Sequence, residues 1–172
     1  MAASLIARID KDGERWLMLG FYALIVAVIG VEVFRRFVLS YSSVWGEEVA
    51  RYAFIYLVWI GAASAIRDRA HIRIDIVMHL LPPRGRAAIY LFGDFATLVL
   101  AVIGFYWSLA PVMTSIEYGS VTHGLRISQA WFFAAVPLGF AMILFRIVQS
   151  MRRDLFDLRQ GRPVFEGRRL FD

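Results

Sequence analysis

Charged side chains within otherwise apolar stretches are the residues of this chain that could do chemistry. Glu47, Glu48 and Arg51 open the second long apolar run of the sequence. At helical spacing Arg51 lies one turn from both carboxylates and can pair with either, and the start of a helix favours negative charge. One carboxylate would balance Arg51, so the second needs a further partner, for which we expect Arg35 or Arg36.

Two further acidic residues lie inside apolar runs, where charge is costly and often functional. Glu32 could bind a proton or a cation, but Arg35 and Arg36 follow it at helical spacing, so a local ion pair is the favoured interpretation. Asp94 has no cation at helical spacing within its own run. We expect an interhelical hydrogen bond or a water-filled crevice at Asp94, and we rank both above direct ion transport.

Cysteine and histidine usage limits the cofactors that the chain could hold. The sequence has no cysteine, which excludes disulfides, thiolate-bound metals and iron–sulfur clusters built from this polypeptide alone. His71, His79 and His123 fall between the apolar runs, whereas the axial ligands of a membrane haem would lie inside helices. No acid–base pair occurs in a pocket-like context. We therefore predict no cofactor, no metal site and no enzyme activity.

Composition predicts the elements that carry these residues. Hydrophobic residues make up 59% of the 172 residues, the mean hydropathy is +0.60, and the apolar residues are gathered in long blocks, as in membrane proteins. A transmembrane helix needs about 20 apolar residues. Runs of this kind occupy residues 16–37, 44–66, 87–116 and 130–148. We predict an all-α integral membrane protein in the lipid bilayer, with four transmembrane helices in a single domain, residues 1–172.

Arginine placement predicts the orientation of the chain, because basic residues that flank a span are retained in the cytoplasm. The amino-terminal arm, the loop between the second and third runs and the tail at residues 149–172 are all rich in arginine. Both termini are therefore predicted to be cytoplasmic. This topology also accounts for the net charge of +5. Nucleic acid is not an expected partner, because the arginines flank spans and are not interleaved with exposed aromatic residues.

Two other patterns bear on helix packing and on the second loop. Small residues repeated every three or four positions mark close helix packing in lipid, and Gly61, Gly93 and Gly104 belong to such groups. Packing within the four-helix unit is the favoured interpretation, and docking onto a larger membrane partner is the alternative. Residues 71–83 have the apolar spacing of a short interfacial helix, although the alternation at their start would also suit an extended segment.

The residues around the second apolar run resemble a known family. A tryptophan, a small residue and paired glutamates open the run, a Gly-Ala-Ala segment closes it, and an arginine, a histidine and a Leu-Pro pair follow. In this combination the chain resembles the DctQ-like small membrane subunit of tripartite ATP-independent periplasmic (TRAP) transporters, from about Trp16 to Val148. The resemblance is carried by Arg35 or Arg36 and by Trp45, Gly46, Glu47, Glu48, Ala50, Arg51, Tyr52, Gly61, Ala62, Ala63, Ala65, Arg67, His71, Ile72, Asp75, Leu81, Pro82 and Pro83.

The resemblance implies a division of labour between subunits. In such systems a periplasmic substrate-binding protein captures an organic acid, and a large DctM-like membrane subunit carries the substrate and sodium sites and moves like an elevator. The small subunit belongs to the static scaffold in the bacterial inner membrane. We expect a polar cluster near the outer surface that joins the first two helices and helps to seat a partner, made of Arg35, Arg36, Trp45, Glu47, Glu48 and Arg51. The residues that carry the resemblance also include Arg67, His71 and Asp75, which we expect in a cytoplasmic loop.

Two other classes of membrane protein remain open from the sequence. A haem-bearing membrane anchor of an oxidoreductase would also be a small four-helix chain, although the histidines are poorly placed for it. A small stand-alone proton-coupled exporter would use a membrane carboxylate, for which Glu32 is the candidate, although its arginine neighbours argue against that role.

Overall fold

The computed structural model describes residues 2–41, 43–67 and 83–160 of the chain. They form α1 (Ala2–Val38), α2 (Val44–Arg67), α3 (Pro83–Glu117) and α4 (Ala130–Arg159). Each of the four helices contains a stretch that is long and apolar enough to cross a membrane. The predicted all-α fold with four membrane-crossing helices is confirmed.

Two helices continue beyond the apolar runs that predicted them. α1 begins at Ala2, well before residue 16, and α4 ends at Arg159, past residue 148. At about 1.5 Å per residue α1 is about 55 Å long, which exceeds the ~30 Å of a hydrocarbon core. The predicted interfacial helix lies, up to residue 82, outside the described residues. His71, Asp75 and the tail from residue 161 lie outside them as well.

The four described helices form an open row and not a closed bundle. Extensive contacts join α1 to α2, α2 to α4, and α4 to α3, so the order across the row is α1, α2, α4, α3. Almost no residue is fully buried in the apolar segments of α1 and α3, at the edges of the row, whereas about a third of the corresponding segment of α4 is buried. The two edge helices therefore present most of their apolar surface to whatever surrounds the chain.

The centre of the row contains a small apolar core. Trp59 of α2 packs on Phe140 of α4, with ring centroids 4.7 Å apart. Glycines permit the close approach, because a β-carbon at Gly139 would collide with the Trp59 ring and one at Gly104 would collide with the Phe140 ring. The buried residues of this core are Ala63, Ile66, Ala101, Ile143 and Ile147.

The glycines predicted to mark helix contacts differ in their surroundings. Gly104 faces the Phe140 ring of α4, and a β-carbon at Gly61 would lie 3.7 Å from the sulfur of Met18 in α1. Gly93 faces open space, since a β-carbon there would have no atom of the described residues within 4 Å. A packing role for Gly93 stays a prediction.

Candidate functional site at the two ends of the helices

The charged residues collect at the two ends of the row of helices. Glu48, near the start of α2, contacts the loop between α3 and α4, so the end of α3 and the start of α4 share its end of the row. Glu14, near the start of the apolar part of α1, contacts Arg67 at the end of α2 and Arg146 in the second half of α4. We refer to these two ends as the Glu48 end and the Glu14 end.

Glu48 accepts two backbone hydrogen bonds from the loop that joins α3 to α4. Its Oε2 atom lies 3.0 Å from the N–H nitrogen of Gly124 and 2.7 Å from that of Leu125. Gly124 allows this approach, since a β-carbon there would lie 2.7 Å from the carboxylate oxygen and 3.1 Å from the Trp45 backbone nitrogen. The second carboxylate of the pair therefore holds a loop that is more than 70 residues distant in sequence.

The loop that Glu48 holds has a hairpin-like backbone. The Thr122 N–H donates to the Ile127 carbonyl, and the Gln129 N–H donates to the Ser120 carbonyl, both at 2.9 Å. Gly119 begins the loop in the left-handed region with φ of 56°, which glycine adopts without strain. Backbone pairing within the loop and the contact with Glu48 together give the connection between α3 and α4 a fixed shape.

Glu47 has a different environment from its neighbour. Its Oε1 atom pairs with Nη2 of Arg51 at 2.5 Å, one helical turn away. The side chains are 74% and 60% exposed respectively, so water competes for the pair and its contribution to stability is small. Glu47 and Arg51 thus lie largely on the outer surface of the chain.

Glu32 links the end of α1 to the start of α2. Its two carboxylate oxygens accept hydrogen bonds from the backbone N–H and from the hydroxyl of Ser43, each at 2.7 Å. Arg35 lies 3.9 Å from the same carboxylate, and its guanidinium stacks over the rings of Tyr41 and Trp45. Glu32 therefore forms the expected local ion pair, and it also places negative charge at the start of α2, where the helix dipole favours it.

The predicted polar cluster is thus divided into separate contacts. Arg35 and Trp45 belong with Glu32, Glu47 pairs with Arg51, and Glu48 turns to the far loop. Arg36 is exposed. Among the contacts described for these residues, no arginine of α1 reaches Glu47 or Glu48. The sequence predicted a guanidinium as the second partner of the carboxylate pair. In the structure that partner is backbone N–H, which donates to Glu48.

At the Glu14 end, one carboxylate joins three helices. Oε1 of Glu14 lies 2.6 Å from Nε of Arg146, and Oε2 lies 3.5 Å from Nη1 of Arg67. Arg146 also donates to the side-chain oxygen of Gln149 at 2.7 Å. Glu14 and Arg146 are each only 6% exposed in their side chains. A buried pair of this kind must be kept together, because removing one partner leaves an uncompensated charge.

Sequence reasoning missed the Glu14 contact. Glu14 is one of several acidic residues that precede the first apolar run, and Arg146 is the one charged residue within the fourth run. A lone arginine inside a predicted span was the available signal, since such a charge needs a partner. Nothing in the local sequence identified that partner, which lies 132 positions away.

Asp94 and Ser150 meet between α3 and α4. The Ser150 hydroxyl lies 3.3 Å from Oδ2 of Asp94, which is the interhelical hydrogen bond expected there. Asp154, one turn beyond Ser150, is fully buried. The Ser150–Asp94 hydrogen bond adds a polar contact to the α3–α4 interface at the Glu14 end.

The described polar groups connect helices and are not arranged to hold a metal. No group of three or more His, Asp and Glu residues able to bind a metal ion occurs in the ranges that the structure describes. His123 is exposed on the loop at the Glu48 end. The chemistry that this arrangement supports is the joining of helices and loops, and the Glu47–Arg51 pair is exposed.

Comparison with known proteins agrees with the resemblance seen in the sequence. The profile of "Tripartite ATP-independent periplasmic transporters, DctQ component" matches residues 25–157. The chain is 26% identical over 155 residues to the sialic acid TRAP transporter small permease protein SiaQ of Vibrio cholerae, covering 88% of this chain and 86% of that protein. It is 24% identical over 153 residues to the isethionate TRAP transporter permease protein DctMQ of Oleidesulfovibrio alaskensis. It is 27% identical over 138 residues to the sialic acid TRAP transporter permease protein SiaT of Haemophilus influenzae.

The lengths of these relatives differ from one another. The match covers 86% of this chain but only 24% of DctMQ, and 80% of this chain but only 22% of SiaT. The chain thus spans about a quarter of those two permease proteins and most of SiaQ.

Proposed function

Because this chain belongs to the family of DctQ components of tripartite ATP-independent periplasmic transporters, we propose that it acts with a large DctM-like membrane subunit to import an organic acid. The family is one of transporter permease subunits and not of enzymes. Its members are proteins of the bacterial inner membrane, and the four membrane-crossing helices fit that location. The observation that carries the proposal is the family match over residues 25–157.

A large membrane partner is supported by the longer relatives. DctMQ and SiaT are permease proteins in which the part similar to this chain is joined to about three times as much additional sequence. SiaQ, which matches this chain over most of its own length, is named a small permease protein, which supports a larger permease partner. The names of the relatives refer to isethionate and sialic acid, both organic acids, which supports an organic acid as the imported substrate.

A scaffold role is supported by the open row of helices. Almost no residue in the apolar segments of the edge helices α1 and α3 is fully buried within the chain. Helix association in lipid depends on close packing and interhelical polar contacts, and an open row offers two long helical faces for such contacts. We propose that the large subunit packs along this row and that the chain itself stays fixed while the large subunit moves.

Isolation of the native complex tests the partner. The full chain with a carboxyl-terminal tag is purified from native membranes in mild detergent, and the co-purifying proteins are identified by mass spectrometry. We expect a large multi-helix permease in stoichiometric amount. Recovery of a haem protein with a visible absorption spectrum would instead indicate the oxidoreductase anchor.

Vesicle uptake tests the driving ion. The purified complex is reconstituted with its periplasmic binding protein, and uptake of the organic acid is followed under an inward sodium gradient or a matched potassium gradient. We propose that sodium drives uptake and that the large subunit without this chain transports little. Proton-linked transport by this chain alone would favour the exporter. Glu32, the residue that such an exporter would use, is engaged with Ser43.

The exposed pair at the Glu48 end is proposed to contact a partner. Both termini are proposed to be cytoplasmic, which places Glu47 and Arg51 at the periplasmic side, where a binding protein or an external loop of the large subunit could reach them. Glu47→Gln is compared with the parent chain for uptake and for the amount of intact complex, and Glu48 is left unchanged because it holds the loop within the chain. If uptake and assembly both survive, the pair is only a solvated helix start.

A further inference from the structure

The amino-terminal helix is attached to the rest of the chain along one narrow line. From Arg15 to Arg36 the residues of α1 that are not exposed are Met18, Phe21, Ile25, Val28, Glu32 and Arg35. They recur at steps of three and four and so lie on one face. On this face Phe21 stacks on Tyr56, with ring centroids 5.8 Å apart. A helix packed on a single neighbour along a single line can rotate about that line unless something else restrains it.

Each end of this line is occupied by a carboxylate. Glu14 accepts from Arg67 and Arg146 at one end, and Glu32 accepts twice from Ser43 at the other. From residue 14 to residue 32 is 18 residues, or about five turns at 3.6 residues per turn, so both carboxylates lie on the same face as the apolar line. The rise between them is about 27 Å, close to the ~30 Å of the hydrocarbon core.

We propose that Glu14 and Glu32 are positioning residues that fix the two ends of the apolar part of α1 at the two boundaries of the hydrocarbon layer. The contacts between them, including the Phe21–Tyr56 stack, are apolar or aromatic and resist separation but little rotation. The polar contacts are directional, and at the Glu14 end they reach past α2 to α4. Two directional contacts on one face, five turns apart, restrain rotation and tilt of α1 together.

The surroundings of Glu32 and of Glu14 support a separate positioning role for each carboxylate. At the Glu32 end, a β-carbon on Gly46 would lie 2.9 Å from the carboxylate, so the start of α2 is shaped to admit Glu32. At the Glu14 end, the carboxylate and Arg146 are almost completely enclosed. The inference concerns this chain alone, and its test does not depend on whether the protein serves a transporter.

The test measures the position of each end of the apolar part of α1 separately. Because the chain has no cysteine, paired nitroxide labels can be placed in the full chain at chosen exposed sites. In every sample Phe54 of α2 is replaced by a cysteine that carries the first label. A cysteine that carries the second label replaces Trp16, near the Glu14 end, or Val33, near the Glu32 end; both positions are exposed. Pulsed electron paramagnetic resonance in nanodiscs then gives the distribution of each distance.

The proposal predicts an effect confined to one end for each substitution. Glu14→Ala should broaden the Trp16–Phe54 distribution and leave the Val33–Phe54 distribution unchanged, and Glu32→Ala should do the reverse. Glu47→Ala is the matched control, because Glu47 is also a paired carboxylate but is exposed on α2. It should leave both distributions as in the parent chain.

Two results would overturn the proposal. In one, Glu14→Ala and Glu32→Ala leave both distributions as narrow as Glu47→Ala does. In the other, each substitution broadens both distance distributions equally, which would indicate a general loosening of the packing between α1 and α2. Should Glu14→Ala not yield folded protein, Glu14→Asp keeps the charge and shortens the side chain by one methylene. It should broaden the distribution at the Glu14 end alone, and an unchanged distribution there would also count against the proposal.

Discussion

At the scale of single residues, two adjacent carboxylates of the same type do different work. Glu48 accepts two backbone N–H groups of a distant loop, and Glu47 pairs with Arg51 in an exposed position. The reason is their direction on the helix, since consecutive helical residues point about 100° apart. The sequence pattern of two glutamates at a helix start thus combines one internal contact with one that is available externally.

This difference predicts unequal effects on stability. Glu48→Ala leaves the Gly124 and Leu125 N–H groups without their acceptor, so we expect a loss of about 1–3 kcal/mol. Glu47→Ala removes only an exposed ion pair, for which we expect about 0.5 kcal/mol or less. Thermal unfolding of the two purified variants beside the parent chain provides the measurement, with proteolysis of the loop at residues 118–129 as a local readout. Equal shifts for both variants would contradict the assignment of the loop contact to Glu48.

The same contact can be disturbed from the loop side. Gly124→Ala would place a β-carbon against the Glu48 carboxylate and the Trp45 backbone, so the loop must move away. We expect Gly124→Ala to increase proteolysis of the loop as Glu48→Ala does. Gly119→Ala is a less suitable comparison, because the positive φ at Gly119 disfavours any side chain for a separate reason.

At the scale of helices, the contact between α3 and α4 depends on Gly104 more than on Gly93, although the sequence predicted a packing role for both. A β-carbon at Gly104 would collide with the Phe140 ring, whereas one at Gly93 would meet nothing. Overpacking typically costs about 1–3 kcal/mol, so Gly104→Ala should lower the melting temperature of the purified chain. Gly93→Ala is the matched control in the same helix and should be neutral or stabilising by up to about 1 kcal/mol through helix propensity. A drop for Gly93→Ala alone would reverse the assignment.

The number and type of the helices could be predicted from sequence because hydropathy is a sum over neighbouring residues. The second predicted span, residues 44–66, and the described helix Val44–Arg67 almost coincide. The extension of α4 to Arg159 was not visible, since its last turns are charged and leave the apolar run. Polar residues of this extension, Ser150 and Asp154, are buried, which hydropathy could not indicate.

The partners of the charged residues could not be predicted in the same way. The contacts of Glu48 with Leu125 and of Glu14 with Arg146 join residues 77 and 132 positions apart. Which groups meet depends on the order of helices in the row, which no local pattern contains. Pairs at helical spacing, such as Glu47 with Arg51, were accessible because one helix fixes them.

At the scale of the whole molecule, the arginine distribution predicts how the row lies in the membrane. A periplasm-active reporter enzyme fused after Asp172 should be silent, whereas the same reporter inserted near Gly119 should be active, because the basic segments are retained in the cytoplasm. A fusion that is active at Asp172 and silent near Gly119 would invert the orientation. It would also place Glu47 and Arg51 on the cytoplasmic side, away from any periplasmic partner.

The order of the row has a consequence for how the chain comes together. Its outer neighbours are also sequence neighbours, so α1 with α2 and α3 with α4 are two helical hairpins that meet along α2 and α4. Aromatic contacts such as Tyr52 with Phe132, and the carboxylate contacts at both ends, cross this boundary. Helices that are separately stable in lipid can associate after insertion, so residues 1–75 and 76–172 made as complementing fragments should find each other in the membrane and co-purify. Fragments that insert but stay apart would mean that the covalent link between the halves, and not their shared surface, keeps this protein whole.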